Sequence, residues 1–372
     1  MRIIIQKNAL SDVLSRVQGL TGRKTSLAIT ENVLLKTGEN GITLAATDLE
    51  TGFEGWFPAQ VEAPGEIVIN ARKFGEIARN FPTDTMRIQE MENRWIEISS
   101  EKVEYHLVGM DPEEFPTIPR VDDIDFFPID SPSLKKMIDK TVSIGVGGEE
   151  KRAHMIGINL ERRNDGEGQI VRMVSTDTRR LAKADYLCEA DAPLNAGEAV
   201  IIPKKGLSEV NKFLDAEGAV EIGIKDNHFV VRKANETVIV NLLEGVFPAY
   251  SDLVKVDPGN DIEFDRELFL MMLKRMSILT SDEYRGVIFH LENNELIIRT
   301  VNPSLGESRE SMEIAYDRDS REIAFNPKYF IDALGFIPDE KVLLNIRDEE
   351  SPCIVRGPGD ATYINIIMPM KI

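Results

Sequence analysis

An α+β fold made of three copies of one unit, each with two helices packed on antiparallel sheets, is predicted by three observations on this 372-residue sequence. A helical stripe of apolar residues opens each third of the chain. A second stripe recurs within each third. Short alternating runs with polar or glycine turns fill the remainder.

The opening helices are read from Leu10, Val13, Leu14 and Val17, then Leu134, Met137, Ile138 and Val142, then Leu268, Met271, Met272, Leu273 and Met276. These spacings place one apolar face on each helix. The second helices follow from Phe74, Ile77 and Phe81, from Leu207, Val210 and Leu214, and from Phe330, Ala333 and Ile337. Between the two helices of each copy stand LAATDLETGFEGWF, MVSTDTRRLAKADY and the more divergent IRTVNPSLGESRESM. After the second helix come further alternating strands such as MRIQEMENRWIEISS and AVEIGIKDNHFVVRK. The first two copies close on Phe115-Pro116 and Phe247-Pro248, the third on Met368-Pro369. The joins, IPRVDDIDFFPIDSP and SDLVKVDPGNDIEFD, are rich in proline and aspartate, as linkers are. Three domains are expected, at 1–122, 129–250 and 253–372.

Composition narrows the class. With 42% apolar and 29% charged residues the chain reads as globular. No apolar run reaches the roughly 18 residues of a membrane span, and MRIIIQKNALSDVL turns polar too early for a secretory signal, so a cytoplasmic protein without a membrane partner is expected. Cys188 and Cys353 lack any C-x-x-C spacing and are expected to be reduced structural thiols.

Charge is distributed unevenly. Residues 7–24, 70–80, 133–140, 203–212, 265–275 and 326–334 carry +3, +2, +2, +2, +1 and 0, so a chain of net charge −19 has +10 on its helices and −29 elsewhere. Lysines on one helix usually mean a solvated face. Five helices of six agreeing point instead to a basic surface for phosphates, with acidic strands repelling nonspecific nucleic acid. The candidates are Lys24, Arg72, Lys73, Arg79, Lys136, Lys140, Lys204, Lys205, Lys212, Lys274 and Arg275. Without interleaved aromatics or a base-reading cluster, contact with double-stranded DNA would be to the backbone and insensitive to sequence.

Signals for catalysis are weak. There is no G-x-x-x-x-G-K-S/T loop, and Gly145 to Gly148 lack the lysine that would cradle phosphates. His106, His154, His228 and His290 lie far apart, and Asp122, Asp123 and Asp125 read as a solvated linker run. Thr176-Asp177 reads most simply as a turn after a strand. No catalytic residue, metal or cofactor is expected. Taken alone, these residues leave open a nucleotidyl-transfer enzyme whose carboxylates converge only in the fold, or a repeat scaffold that binds proteins alone.

The three repeats, Ala46-Thr47-Asp48, STDTRRLA at Ser175 to Ala182, EGVFPAY at Glu244 to Tyr250 and the terminal YINIIMPMKI together resemble the bacterial sliding clamps, the beta subunits of DNA polymerase III, over the whole chain. The resemblance implies a head-to-tail homodimer closed into a ring of six similar domains, its helices lining a hole for duplex DNA. It implies a non-catalytic processivity factor that tethers the polymerase III alpha subunit, the clamp loader, other polymerases and repair factors through short peptides. The peptide pocket carried over comprises Met155, Gly157, Thr176, Asp177, Thr178, Arg179, Arg180, Leu181, Pro248, Tyr250, Asp252, Leu253, Ser351, Ile366, Met368, Pro369, Met370, Lys371 and Ile372. Ring closure would pair Tyr105 and Leu107 of the first domain with Ile278 and Leu279 of the third. Thr178-Arg179 stands where many members have Gly-His, and Asp252 where a basic residue is common, so a peptide preference different from theirs is expected.

Overall fold

The computed structural model describes residues 1–22, 27–119, 123–144, 152, 156–164, 169–188, 199–281 and 283–371. Among them, twenty-four strands fall into three sets of eight, with helices where the apolar stripes predict them. The first set is β1 Arg2–Gln6, β2 Asn32–Gly38, β3 Gly41–Thr47, β4 Thr51–Ala63, β5 Glu66–Asn70, β6 Thr85–Glu90, β7 Trp95–Ser100 and β8 Val103–Val108, with helices α1 Lys7–Arg16, α2 Gln18–Thr21 and α3 Ala71–Asn80. The second is β9 Phe127–Asp130, β10 Gly157–Asn164, β11 Gln169–Thr176, β12 Arg180–Leu187, β13 Ala199–Pro203, β14 Ala219–Lys225, β15 His228–Lys233 and β16 Glu236–Asn241, with α4 Ser131–Val142 and α5 Lys204–Phe213. The third is β17 Asp261–Asp265, β18 Val287–Glu292, β19 Glu295–Asn302, β20 Gly306–Glu313, β21 Arg321–Phe325, β22 Lys341–Asn345, β23 Cys353–Arg356 and β24 Tyr363–Ile367, with α6 Arg266–Met276 and α7 Pro327–Leu334.

The pairing repeats along with the order. In each set the second, third and fourth strands form an antiparallel meander and the fifth pairs with the second. The first pairs with the sixth, which leads into a second meander with the seventh and eighth. The fourth strand of one set then joins the eighth of the next: β4 pairs with β16 and β12 with β24, both antiparallel. The remaining fourth and eighth strands, β20 and β8, are left on open sheet edges.

Met1–Lys135, Ala192–Ala196 and Ile202–Leu243 make one compact unit, and Lys136–Asp191, Gly197–Ile201 and Glu244–Ile372 another. The second repeat is therefore divided, β14 to β16 joining the first unit through β4 and β10 to β12 joining the second through β24.

In the first unit α1 packs against α3, and Ile3, Leu10, Leu14, Phe74 and Phe81 are buried between helices and sheet. In the second an aromatic core interlocks Phe264, Phe269, Phe289, Phe325 and Phe330, with ring centroids 5.0 Å apart for Phe264–Phe269 and 5.2 Å for Phe325–Phe330. Such edge-to-face and offset packing adds to the burial of large apolar area. The stripe on α6 differs from expectation: Leu268 and Met271 are exposed, while Phe269, Met272, Leu273 and Met276 are buried. That set keeps the i, i+3, i+4, i+7 spacing of one helical face, and Phe269 anchors it to the aromatic core.

Side-chain caps fix where several helices begin. Asn70 accepts from Lys73 N–H, Asp130 from Ser133 N–H, Asp265 from Leu268 N–H and Asn326 from Lys328 N–H, each at 3.0 Å. Both cysteines are free thiols. No helix among the described residues is long and apolar enough to cross a membrane.

Candidate functional site

The helix cations separate into three kinds once their neighbours are seen. Arg79, Lys136 and Lys274 are exposed and have no carboxylate partner among the described residues. Arg72 and Lys73 share Glu76, Lys212 holds Glu209 and Arg275 holds Glu310, with cations at least about half exposed. Exposed pairs of this kind are worth only about 0–1 kcal/mol, so a phosphate can compete for the cation. Lys140 and Lys205 differ. Lys140 lies 3.0 Å from Asp360 and 4.6 Å from the centroid of the Tyr363 ring. Lys205 sits 2.6 Å from Asp48 and 3.1 Å from Glu50. Burial pulls the Lys205 ammonium down, but the two carboxylates more than offset it and its pKa ends above the ordinary lysine value. Lys204 is half-buried, and Lys24 lies outside the described residues. Within the first unit, α1 touches both α3 and α5, so Arg72, Lys73, Arg79 and Lys212 ride on neighbouring helices.

Of the residues expected in a peptide pocket, Thr176 to Leu181 span the turn of the β11–β12 hairpin. Thr176 Oγ1 donates to the Arg180 carbonyl at 2.8 Å, and Asp177 Oδ1 accepts from Arg179 N–H at 3.0 Å and Arg180 N–H at 2.9 Å. Thr178 is thereby held at φ +71°, in the left-handed region. The same turn stands in the first repeat, where Thr47 donates to the Thr51 carbonyl, Asp48 takes Glu50 and Thr51 N–H, and Leu49 has φ +77°. Thr-Asp is thus a turn cap, as the sequence suggests.

Arg180 carries the hairpin onto the third repeat. Its guanidinium donates to Asp177 at 3.1 Å and Asp332 at 2.6 Å and lies 4.5 Å from the Tyr329 ring centroid. Leu181 is paired opposite Ile366, and these two join Val174, Tyr250, Ile354 and Ile364 in one apolar cluster flanked by Phe247, Val254 and Val256. The C-terminal segment is pinned by main-chain bonds, Met368 N–H to the Arg179 carbonyl at 2.9 Å and Met370 N–H to the Ala324 carbonyl at 2.8 Å. Pro248 and Leu253 are exposed, Pro369 is half-buried, Lys371 is exposed, and Gly157 is buried at the start of β10. Asp252 is exposed and pairs with Lys255 at 2.7 Å. Ser351 closes a turn on Asp348 at 2.6 Å. Met155 and Ile372 lie outside the described residues.

A polar layer in the same unit escapes residue-by-residue reading. Arg172 donates two bonds to Asp185, at 2.7 and 2.9 Å, and Lys183 a third at 2.6 Å. The Tyr250 hydroxyl donates a hydrogen bond to Glu161, and burial together with that carboxylate pushes its pKa up. The signal was present: Arg172 and Asp185 stand opposite each other in adjacent alternating strands.

Tyr105 and Leu107 lie on the open edge strand β8, Tyr105 exposed and 6.5 Å from the Phe81 ring. Ile278 is 72% exposed in the turn Ser277–Leu279, which packs beside the other open edge strand, β20. Of the histidines, His106 pairs with Glu104 at 3.2 Å and stands with Glu97 in an exposed cross-strand cluster. Residues 145–148 and Asp122 lie outside the described residues.

Three family models match the chain in order: the DNA polymerase III beta subunit N-terminal domain at residues 1–119, the central domain at 128–249 and the C-terminal domain at 256–371. A beta sliding clamp of Chlamydia pneumoniae is 28% identical over 372 residues, covering 100% of this chain and 99% of its own. A beta sliding clamp of Pseudomonas putida is 29% identical over 377 residues with 100% of both covered. Among solved structures, the DNA polymerase III subunit beta of Pseudomonas aeruginosa superposes with a TM-score of 0.91 at 29% identity, covering 100% of both chains. The DNA polymerase sliding clamp of Bacillus subtilis gives 0.92 at 25%, covering 100% of this chain and 99% of its own.

Proposed function

This chain belongs to the DNA polymerase III beta-subunit family, matched domain by domain between residues 1 and 371, and from that membership we propose that it works as a DNA sliding clamp, a ring that encircles duplex DNA and tethers the replicative polymerase. The observation that carries the reading is an unfinished pattern of strand pairing. Fourth and eighth strands join successive repeats twice within the chain and leave one of each open, β20 and β8. Open edges are a liability unless something covers them, and a head-to-tail contact that closes on itself makes a ring. Two copies, with domains at 1–122, 129–250 and 253–372, complete six repeats. Tyr105 and Leu107 meet Ile278 and Leu279 at each closure.

Arg72, Lys73, Arg79, Lys136, Lys204, Lys212, Lys274 and Arg275 face the DNA backbone, with Lys24 beside them. Lys140 and Lys205 hold the fold instead, because each is committed to a carboxylate in a half-buried setting. Topology rather than tight binding keeps the ring on DNA, so weak, screened phosphate contacts suffice and the ring slides. The subunit is non-catalytic, works in the bacterial cytoplasm and needs no cofactor. The apolar cluster around Leu181 and Ile366, with the Met368 to Ile372 segment, Met155, Gly157, Pro248 and Leu253, forms the groove for short peptides of the polymerase alpha subunit, the clamp loader and repair factors. Methionines and aliphatics make such a groove adaptable. Protein loaded on nicked circular DNA is expected to survive a high-salt wash and to slip off once the circle is cut. Equal loss from circle and linear form would sink the ring.

A further inference from the structure

The two junctions already made inside the chain fix the register of the one left open, and the structure assigns the ring-closing pair Ser308 opposite Tyr105, with Arg309 opposite Glu104 and Glu307 opposite His106 of a second copy. This rests on the ring reading above and adds the residues that meet.

The β20 side is aligned by a shared turn. Asp48 Oδ1 accepts from Glu50 N–H, Asp177 Oδ1 from Arg179 N–H and Asn302 Oδ1 from Ser304 N–H, in each case two residues on. Two residues before that turn stand Ala46, Ser175 and Thr300, all buried or nearly so, paired across their hairpins with Phe53, Ala182 and Ser308. Ser308 is therefore the counterpart of Phe53 and Ala182. The β8 side is aligned by its hairpin: Ser100 pairs with Val103 across two residues as Lys233 pairs with Glu236, making Val103 the counterpart of Glu236.

At the first junction Phe53 lies opposite Val238, the third residue of β16, and at the second Ala182 lies opposite Asn365, the third residue of β24. The third residue of β8 is Tyr105. The faces agree. Ser308 lies 3.1 Å from Met276 Sδ and Glu310 holds Arg275, so both face helix α6. Tyr105 approaches Phe81, which follows helix α3. A slip of one residue would turn every side chain to the wrong face.

The main chain repeats as well. Trp56 N–H to the Asn235 carbonyl at 2.9 Å matches Asp185 N–H to the Thr362 carbonyl at 3.0 Å. The third pair of this kind is Ser311 N–H to the Lys102 carbonyl.

What distinguishes the open junction is charge. Glu54 faces Thr237 and Lys183 faces Ile364 at the two internal junctions, with no opposite charges in register. Arg309 is exposed without a carboxylate partner among the described residues, and Glu104 has only His106. The outer row thus sets Arg309 against Glu104, an ion pair that favours this partner edge over a like-charged one, and places the Glu307 carboxylate opposite the His106 ring.

Two arms test the register on the full chain. In a Cys188→Ser background, Tyr105→Cys with Ser308→Cys, and Glu104→Cys with Arg309→Cys, are oxidised. A covalent dimer from at least one of these adjacent pairs, and none from Tyr105→Cys with Glu310→Cys, supports the assignment, since directly opposite residues alternate between close and wide spacing. Separately, Glu104→Arg and Arg309→Glu should each raise the dimer dissociation constant about tenfold, and the double variant should return to within about threefold of wild type. A sedimenting dimer that cross-links only through the shifted pair, or that ignores the charge swap, overturns the register and leaves the ring standing. A wild-type chain that sediments as a monomer removes the ring and this pairing with it.

Discussion

Lys205 places its ammonium 2.6 Å from a carboxylate oxygen of Asp48, whose side chain is fully buried. The pair lies within the first unit, joining helix α5 to the Thr47-Asp48 turn that begins β4. Lys205→Met would leave a buried carboxylate with only its two backbone donors and should cost about 2–4 kcal/mol in urea unfolding. Because the folded-state pKa of Lys205 is raised, its contribution is complete below the ordinary lysine value of 10.5 and is lost as pH rises through the folded value. A variant as stable as wild type at pH 8 would refute this role.

Phosphate contact predicts a different signature. Arg79→Ala, Lys136→Ala and Lys274→Ala remove exposed cations without breaking an ion pair among the described residues. Each should lower the slope of log affinity for DNA against log salt by about 0.9, with little change in melting temperature. Lys140→Ala and Lys205→Ala should do the reverse, lowering stability while leaving the slope alone. Titrations of an open, monomeric variant at four salt concentrations separate the two groups.

These two groups were indistinguishable in the sequence, and the reason is distance along the chain. Lys140 and Asp360 are 220 residues apart, so no local spacing announces their pairing. Helices and their faces were legible because Leu10, Leu14 and Phe74 obey a local period that burial then rewards. The exception is α6, a helix apolar on several sides, where Phe269 rather than Leu268 found aromatic partners. The Thr-Asp turns were readable for the same local reason. Strand junctions were not: whether β12 meets β24 depends on backbone edges that carry no side-chain code. For the proposed groove, Leu181, Tyr250 and Ile366 came from resemblance, whereas Arg172 with Asp185 needed the β11–β12 register to be seen.

Thr178 at φ +71° is a β-branched residue in a conformation that suits glycine. The Asp177 and Thr176 side chains hold the turn without help from its own. Thr178→Gly should relieve strain of about 1–2 kcal/mol and give back part of it in chain entropy, leaving a net gain of about 0.5–1 kcal/mol. Calorimetry decides, and a lower melting temperature would contradict the strained-turn account.

Asp348 gathers the Ser351 hydroxyl, the Ser351 and Glu350 amides and Arg347, which hold its carboxyl near a pKa of about 2. A depressed carboxylate stabilises its turn above the ordinary value of 3.8, and that stabilisation drains away as pH falls toward 2. Ser351→Ala removes the leading donor, so the Asp348 titration followed by carboxyl NMR should move up toward 3.8. An unshifted midpoint would mean that the amides alone set it.

The C-terminal segment supplies the last test. β24 ends at Ile367 and keeps its ladders to β12 and β23 without anything beyond it. Met368 to Lys371 contribute two main-chain bonds and, in Met368 and Met370, two half-buried flexible side chains that follow directly on Ile366 and Ile367. Ending the chain after Ile367 should therefore weaken a fluorescent peptide of the glutamine–leucine–phenylalanine type more than tenfold, about the loss expected when one apolar wall of a groove is removed. The dimer should persist, because β8 and β20 lie elsewhere in the fold. A truncated protein that binds the peptide as tightly as the full chain would remove the terminal segment from the groove, whereas loss of the dimer alone would place it at the ring closure.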